Sequence, residues 1–304
     1  MVKSMNAAIA GLKSHQTKMD VLSNNIANVN TWGFKSRTTN FQDALYSNSI
    51  SGSAGATENG KLGGINTSQI GYGNTVSSIS TNFSTGSRQY TGNPLDCMID
   101  GTAFFIVGPF RGQNGNATAV EVGKIGESGL FLSRVGIFQP DSNGYLVDNT
   151  GNYVYGFAAD DTGNIDTKNG LRPIRIPEDK TAAAGTRLSI QTWTIGTDGT
   201  VVGVDDKNVP HTIAKIAVAS VENPSGLEQN NGYLYKIGAN AGTVKGMETT
   251  SATGTIQSNF LEMSNVDLAS DIATMITTQR GYQANTKIIT VTDEMLEQLV
   301  NMKR

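Results

Sequence analysis

The sequence predicts a multidomain α+β protein, with N- and C-terminal helices paired in a coiled-coil-like terminal domain and all-β central domains between them. Three observations carry this reading. Apolar residues recur at heptad spacing near both ends. Short β-patterned runs fill the middle, and 35 glycines against 7 prolines supply the turns that join them.

At the N-terminus Met5, Ala8, Leu12, Met19, Leu22, Ile26 and Val29 alternate at spacings of three and four residues, with His15 as the polar member of the seam. Ile9 lies off that seam. Asn24, Asn25, Asn28 and Asn30 then compete for backbone hydrogen bonds through their own amides, and Gly33, before Phe34, tolerates the positive φ of a helix stop. The helix is therefore expected to end between residues 28 and 33.

Residues 34–73 are rich in Ser, Gly, Asn and Thr and read as a linker segment. Phe41, Leu45 and Tyr46 are close enough in sequence for its first part to dock. Strand signals follow at 76–83, 103–107, 133–138, 143–148 and 151–157, and again at 213–219 and 233–237. The expected β domain is thus 74–157 with 211–260. The stretch 158–210 reads as an inserted β segment or small outer domain, with strands at 188–195 and 200–204 around the turn Thr197, Asp198, Gly199.

The C-terminal part, 261–304, returns to helical periodicity. Leu261, Leu268, Met275, Tyr282, Ile289 and Leu296 stand seven residues apart. The companion positions are mixed: Ile272 and Val300 are apolar, while Gln279, Thr286 and Asp293 are polar. Met263, Ile276, Ile288 and Leu299 fall off the seam. A hairpin of two helices would leave these faces wet, and burying one such side chain is worth roughly 1.5–3 kcal/mol. Packing against further copies is the expected remedy, and 1–33 with 261–304 form the expected terminal domain. Lys3, Lys13 and Lys18 make the first helix basic, and the second carries more acidic than basic residues. Such surface pairs, at about 0.2–1 kcal/mol each, choose partners more than they stabilise.

Composition excludes several functions. A net charge of −3 without a Lys/Arg cluster argues against nucleic-acid binding. No apolar run approaches the roughly 20 residues of a membrane span, and the N-terminus lacks the apolar core and cleavage site of a signal peptide. Cys97 is the single cysteine, set in an apolar, strand-like run that suits an inert buried thiol. His15 and His211 are the two histidines, and neither has ligands at zinc spacing. Asp-x-x-Gly runs at Asp141, Asp148 and Asp160 read as β-turns, because the bidentate Glu of a calcium loop is missing. The glycine-rich run 123–129 is not a phosphate loop. The sequence assigns no catalytic residue, cofactor or metal.

The residues Ser4, Met5, Gly11, Leu12 and the run 15–20, then 23–31 with Gly33, Phe34 and Lys35, closely resemble the N-terminal signature of bacterial flagellar axial proteins, the rod and hook family. Trp32 departs from the small or apolar residue expected there. The run 271–302, including 279–285 and 293–296, resembles the family's C-terminal signature, and the β blocks match the hook and rod β domain, most weakly at 158–210. Within the family, 15–20 together with Asn40, Phe41, Gln42 and Asp43 are most similar to the hook branch.

The resemblance implies a structural subunit, not an enzyme, that self-assembles into the curved tubular hook and transmits torque as a flexible joint. The alternative is a distal rod subunit. It further implies a homopolymer in contact with other axial proteins (rod, hook cap, hook–filament junction) and with the flagellar export apparatus, and export to the hook or basal body without a cleaved signal. The self-assembly residues would be those of the two apolar helix faces.

Overall fold

In a computed structural model, the structure describes residues 2–53, 64–113, 116–123, 125–159, 165, 170–176, 190–230, 232–248 and 254–302. The turn expected at Asp160 lies outside them. The chain separates into two compact units: Met1–Asn28 with Ser36–Asn82 and Val266–Arg304, and Val29–Lys35 with Phe83–Asn265.

The first unit contains both helices, α1 (Val2–Ala27) and α2 (Leu268–Met302). α1 stops where the asparagines predict. The Asn28 amide donates to the carbonyls of Asn24 and Asn25, and the Asn28 side chain donates to the same Asn24 carbonyl at 2.8 Å. Four strands share this unit: β1 (Arg37–Asp43), β2 (Tyr46–Ile50), β3 (Ser68–Gly71) and β4 (Asn74–Thr81). β1 pairs antiparallel with β4, and β2 with β3.

The segment 34–73 is therefore not a plain linker. Part of it forms paired strands that belong with the helices, and Phe41, Leu45 and Tyr46 sit exposed on or beside them. Composition misleads here because a run of Ser, Thr and Asn suits a two-stranded ribbon that buries little apolar surface as well as it suits a coil. Gly73, at φ +106°, brings the chain across α1, where an added Cβ would lie 3.1 Å from the Ala7 carbonyl oxygen. The Ser14 hydroxyl donates to Asn74 O at 3.2 Å.

Among the described residues, the strand pairs of the second unit are antiparallel. Its main sheet runs in the order Ile190–Ile195, Thr200–Asp205, Pro210–Ile216, Tyr153–Ala158, Phe104–Gly108, Phe131–Ser133, Leu234–Ile237, Leu227–Gln229. The strand Phe104–Gly108 is central and buried along its whole length. Phe105 and Val107 enter one apolar cluster with Leu95, Phe138 and Ile216. Phe104 and Ile106 enter another with Leu132, Tyr155 and Tyr235. This is the two-residue period of a strand covered on both faces.

Sequence expectations meet three findings here. The strands Ile190–Ile195 and Thr200–Asp205 pair into the main sheet through Pro210–Ile216, which fits the inserted β segment and not the small outer domain of the two alternatives for 158–210. The run 133–138 is a crossing between Phe131–Ser133 and Phe138–Pro140, not one strand. Leu261 belongs to the strand Phe260–Glu262, paired with Arg88–Tyr90 and buried in the β unit. α2 begins only after Asp267, whose carboxylate accepts the Ala269 and Ser270 amides.

Candidate assembly surface

The interface between α1 and α2 is built from small and polar side chains. Three points fix its register. The side chain of Asn285 fits against Gly11, where a Cβ would meet Nδ2 at 2.8 Å. The imidazole of His15 fits against Gly281, where a Cβ would meet Cε1 at 2.9 Å. The amide of Asn25 donates to Asp271 Oδ2 at 3.2 Å. Each step along α1 from 11 to 15 to 25 is matched by the same step back along α2, from 285 to 281 to 271, so the helices run antiparallel.

Asn25 is the most constrained of the signature asparagines. Buried, it donates to Arg37 O at 2.9 Å and accepts from Arg37 N at 3.0 Å, holding the start of β1 against α1. His15 also meets Phe41 of β1 edge-on at 5.8 Å between ring centroids, and Lys18 lies over the same ring at 5.5 Å. Burial, then the charge of Lys18, holds the His15 pKa below its ordinary value. On α2, Thr278 and Thr292 are buried, each turning its hydroxyl back to the helix carbonyl four residues earlier. They fall on the line of Asp271 and Asn285, seven residues apart.

Apolar side chains are left outside this seam. Among the described residues of the helical unit, Ala8 and Leu22 are the buried apolar side chains. Met5, Leu12, Met19, Ile26 and Val29 are half-buried, as are Met275, Tyr282 and Ile289 on the other end. Ile9 is 49% exposed and Ile276 53%, and Leu268, Ile272, Leu296 and Leu299 are exposed with them. The heptad frame does not join the residues of the last turns into one set, yet Ile288, Val291, Met295, Leu299 and Met302 recur there at spacings of three and four and are exposed. The 3.6-residue period finds them.

On α1 half of the expected seven-residue frame is kept, with Ala8 and Leu22 buried and His15 set against Gly281, while Gly11 and Asn25 face the partner helix where Leu12 and Ile26 were expected. Of the other signature residues, Asn24 and Asn30 are exposed, Asn28 and Phe34 half-buried, and Gly33 buried at φ +64°. Residues 29–35 belong to the β unit.

Groups able to do chemistry are sparse among the described residues. No cluster of three or more His, Cys, Asp or Glu among them could hold a metal ion. Cys97 is fully buried, and burial pushes its thiol pKa up. His211 Nε2 lies 3.3 Å from Asp205 Oδ2, between the paired strands Thr200–Asp205 and Pro210–Ile216. Asp141 and Asp148 spend their carboxylates on their own turns, accepting the Ser142 amide and the Thr150 and Asn152 amides. Among the described residues, no helix is long and apolar enough to cross a membrane.

Comparisons with known proteins agree with this architecture. Residues 5–35 match the model of the flagella basal body rod protein family, and 257–302 the model described as flagellar basal body rod FlgEFG protein C-terminal. The flagellar basal-body rod protein FlgG of Bacillus subtilis is 38% identical over 307 residues, covering 100% of both chains. The flagellar hook protein FlgE of Borreliella burgdorferi is 27% identical over 461 residues, also covering 100% of both. The FlgG of that organism is 29% identical over 308 residues, again covering 100% of both. A full-length relative at this level of identity, with the two family models falling on α1 and α2, means that the chain belongs to the flagellar basal-body rod and hook family.

Proposed function

We infer that this chain is a non-enzymatic structural subunit that polymerises into the axial tube of the flagellum. One observation carries the inference: the helical unit turns small and polar groups inward and leaves Ile9, Leu268, Ile272, Ile276, Ile288, Met295 and Leu299 exposed. Partial exposure of that many aliphatic side chains is unfavourable in water at about 25 cal/mol per Å2. Copies stacked by contacts that do not close on themselves form a helical filament. The assembly residues are Met5, Ile9, Leu12, Met19, Ile26 and Val29 of the N-terminal end, and Leu268, Ile272, Met275, Tyr282, Ile289, Leu296 and Leu299 of α2; Leu22, expected with them from the sequence, is buried within the chain and not on that surface. In this arrangement the helical unit is the tube core, and the subunit contacts the neighbouring axial proteins and the flagellar export machinery.

Between the two members of the family, we favour the distal rod. The FlgG comparison aligns nearly one to one, over 307 positions. The hook comparison spans 461 positions against the 304 residues here. A second reading, the curved hook, is favoured by the run 15–20. Electron microscopy of polymers of the purified full-length protein separates the two: straight, stiff tubes support the rod, curved tubes the hook, and the lack of any polymer contradicts both.

A further inference from the structure

The β unit contains a group of buried charged side chains that apolar packing does not account for. Lys35, Arg134 and Glu262 meet with all three side chains fully buried. Lys35 Nζ lies 2.6 Å from Glu262 Oε1 and donates to Ser84 O at 2.8 Å. Arg134 Nη1 lies 3.5 Å from Glu262 Oε2, and Nη2 donates to Gly101 O at 2.7 Å. The Arg134 guanidinium also stacks over Phe104 at 5.0 Å. Glu262 is the hub, since Oε1 accepts the Gly86 amide at 2.8 Å as well. Burial lowers the pKa of both cations, with the Glu262 charge opposing that shift.

Two cations and one carboxylate in a dry site are costly unless fully bonded, and replacing such a group by apolar residues is often neutral or stabilising. Leucines would therefore serve a purely architectural role at least as well. What the triad does that leucines cannot is fix chain register. Lys35 ends the segment that follows α1, and Glu262 sits shortly before α2. The same place carries directional backbone bonds: Gly33 N to Glu262 O at 2.8 Å, Met263 N to Ser87 O at 2.8 Å, and Asn265 N to Phe34 O at 3.4 Å. Gly86 allows the close crossing, because a Cβ there would fall 2.1 Å from Met263 O.

We propose that the Lys35–Glu262–Arg134 triad is a clamp that locks the chain segment entering the β unit to the segment leaving it, so that the two connections to the helices depart from one fixed pair of points. Within the run Gly33, Phe34, Lys35, glycine turns the chain in at positive φ and lysine bolts it to the outgoing strand.

Hydrogen exchange on the full chain tests this. In Glu262→Gln, which leaves two buried cations facing a neutral amide, the Gly33, Gly86 and Met263 amides should exchange about 100-fold faster while those of Phe105 and Val107 stay unchanged. Adding Lys35→Met should restore most of the protection, because one of the uncompensated cations is gone. Should Glu262→Gln fail to fold, Lys35→Met alone leaves Arg134 and Glu262 as a neutral pair. It should loosen the same amides by about tenfold without touching the sheet. Uniform acceleration across the unit, or none at the three amides, overturns the clamp.

Discussion

The two units solve the burial problem in opposite ways. In the β unit Phe104, Phe105, Ile106 and Val107 alternate into two apolar clusters and every one of them is dry. In the helical unit Gly11, His15 and Asn25 meet Asn285, Gly281 and Asp271, and Ser14, Thr278 and Thr292 are buried with only Ala8 and Leu22 as apolar company among the described residues, while Ile9, Leu268, Ile272, Ile276, Ile288 and Leu299 face water. A β unit that covers its own apolar surface is complete as a single chain. A helix pair whose mutual contact is largely polar, and whose apolar faces point away, is what we propose other molecules complete. The chain thus divides its labour between a self-contained body and an assembly part that is legible as such because it is inside out.

The sharpest way to break this contrast is to damage each part separately. Phe105→Ala should cost the β unit about 3–5 kcal/mol, as deletion of a fully buried aromatic ring does, read by chemical denaturation. A much smaller loss would mean that the β core is not the stable body described.

Ile276→Asp should act the other way. The stability of the single chain should change by less than about 0.5 kcal/mol, as at an exposed site, while the association between copies loses roughly 1.5–3 kcal/mol, or about 10- to 100-fold in critical concentration. Sedimentation and denaturation on the same samples check both halves. An unfolded chain would show that Ile276 is an internal residue.

Smaller effects test the seam itself. Gly281→Ala places a methyl 2.9 Å from an imidazole already held by Phe41. Overpacking of about 1–3 kcal/mol should outweigh the roughly 1 kcal/mol gained in helix propensity. Gly11→Ala meets the swinging end of Asn285 and should be close to neutral. Equal effects at the two sites would refute the reading of His15 as a fixed knob. Thermal denaturation of the helical signal makes the measurement.

The smallest expected effect is pH. His15 has a lowered pKa in the folded chain, so as pH falls through its ordinary value near 6.5 the unfolded chain takes up the proton first. The helical unit should therefore lose stability from there downward until the folded chain also protonates, and show no such slope above it. His15→Gln should remove the slope, measured as the midpoint of helix melting between pH 7.5 and about 5. A slope of opposite sign would mean that a carboxylate, not Lys18, faces the ring.

Much of this is readable in the residues. The asparagine cluster and Gly33 place the end of α1, because side-chain amides compete with helix carbonyls wherever they occur. The apolar run Phe104 to Val107 reveals a strand covered on both faces, and the Asp141 and Asp148 turns follow from Asx chemistry. The rest is hidden for specific reasons. Leu261 continues a perfect heptad in sequence, yet pairing with Gln89 captures it in a strand; periodicity carries no information on non-local pairing. Residues 37–50 look like a linker because β1 meets α1 mainly through the Arg37 backbone and the Phe41 ring and β2 is largely exposed, so neither strand needs an apolar pattern. The inward line of α1 is only partly legible from hydrophobicity, since Gly11, Ser14 and Asn25 are buried alongside the apolar Ala8 and Leu22, and Ile9 is not. Lys35 and Glu262 stand far apart in the chain, and no local pattern joins them.

The central claim is that the helical unit is completed by further copies of the same chain. Sedimentation velocity of the intact protein over a wide concentration range, with hydrogen exchange of α2 at each point, tests it most directly. The account predicts growing polymers, with the Ile272, Ile276, Ile288 and Met295 turns protected only in them. A monodisperse monomer whose α2 is already fully protected at every concentration would contradict it.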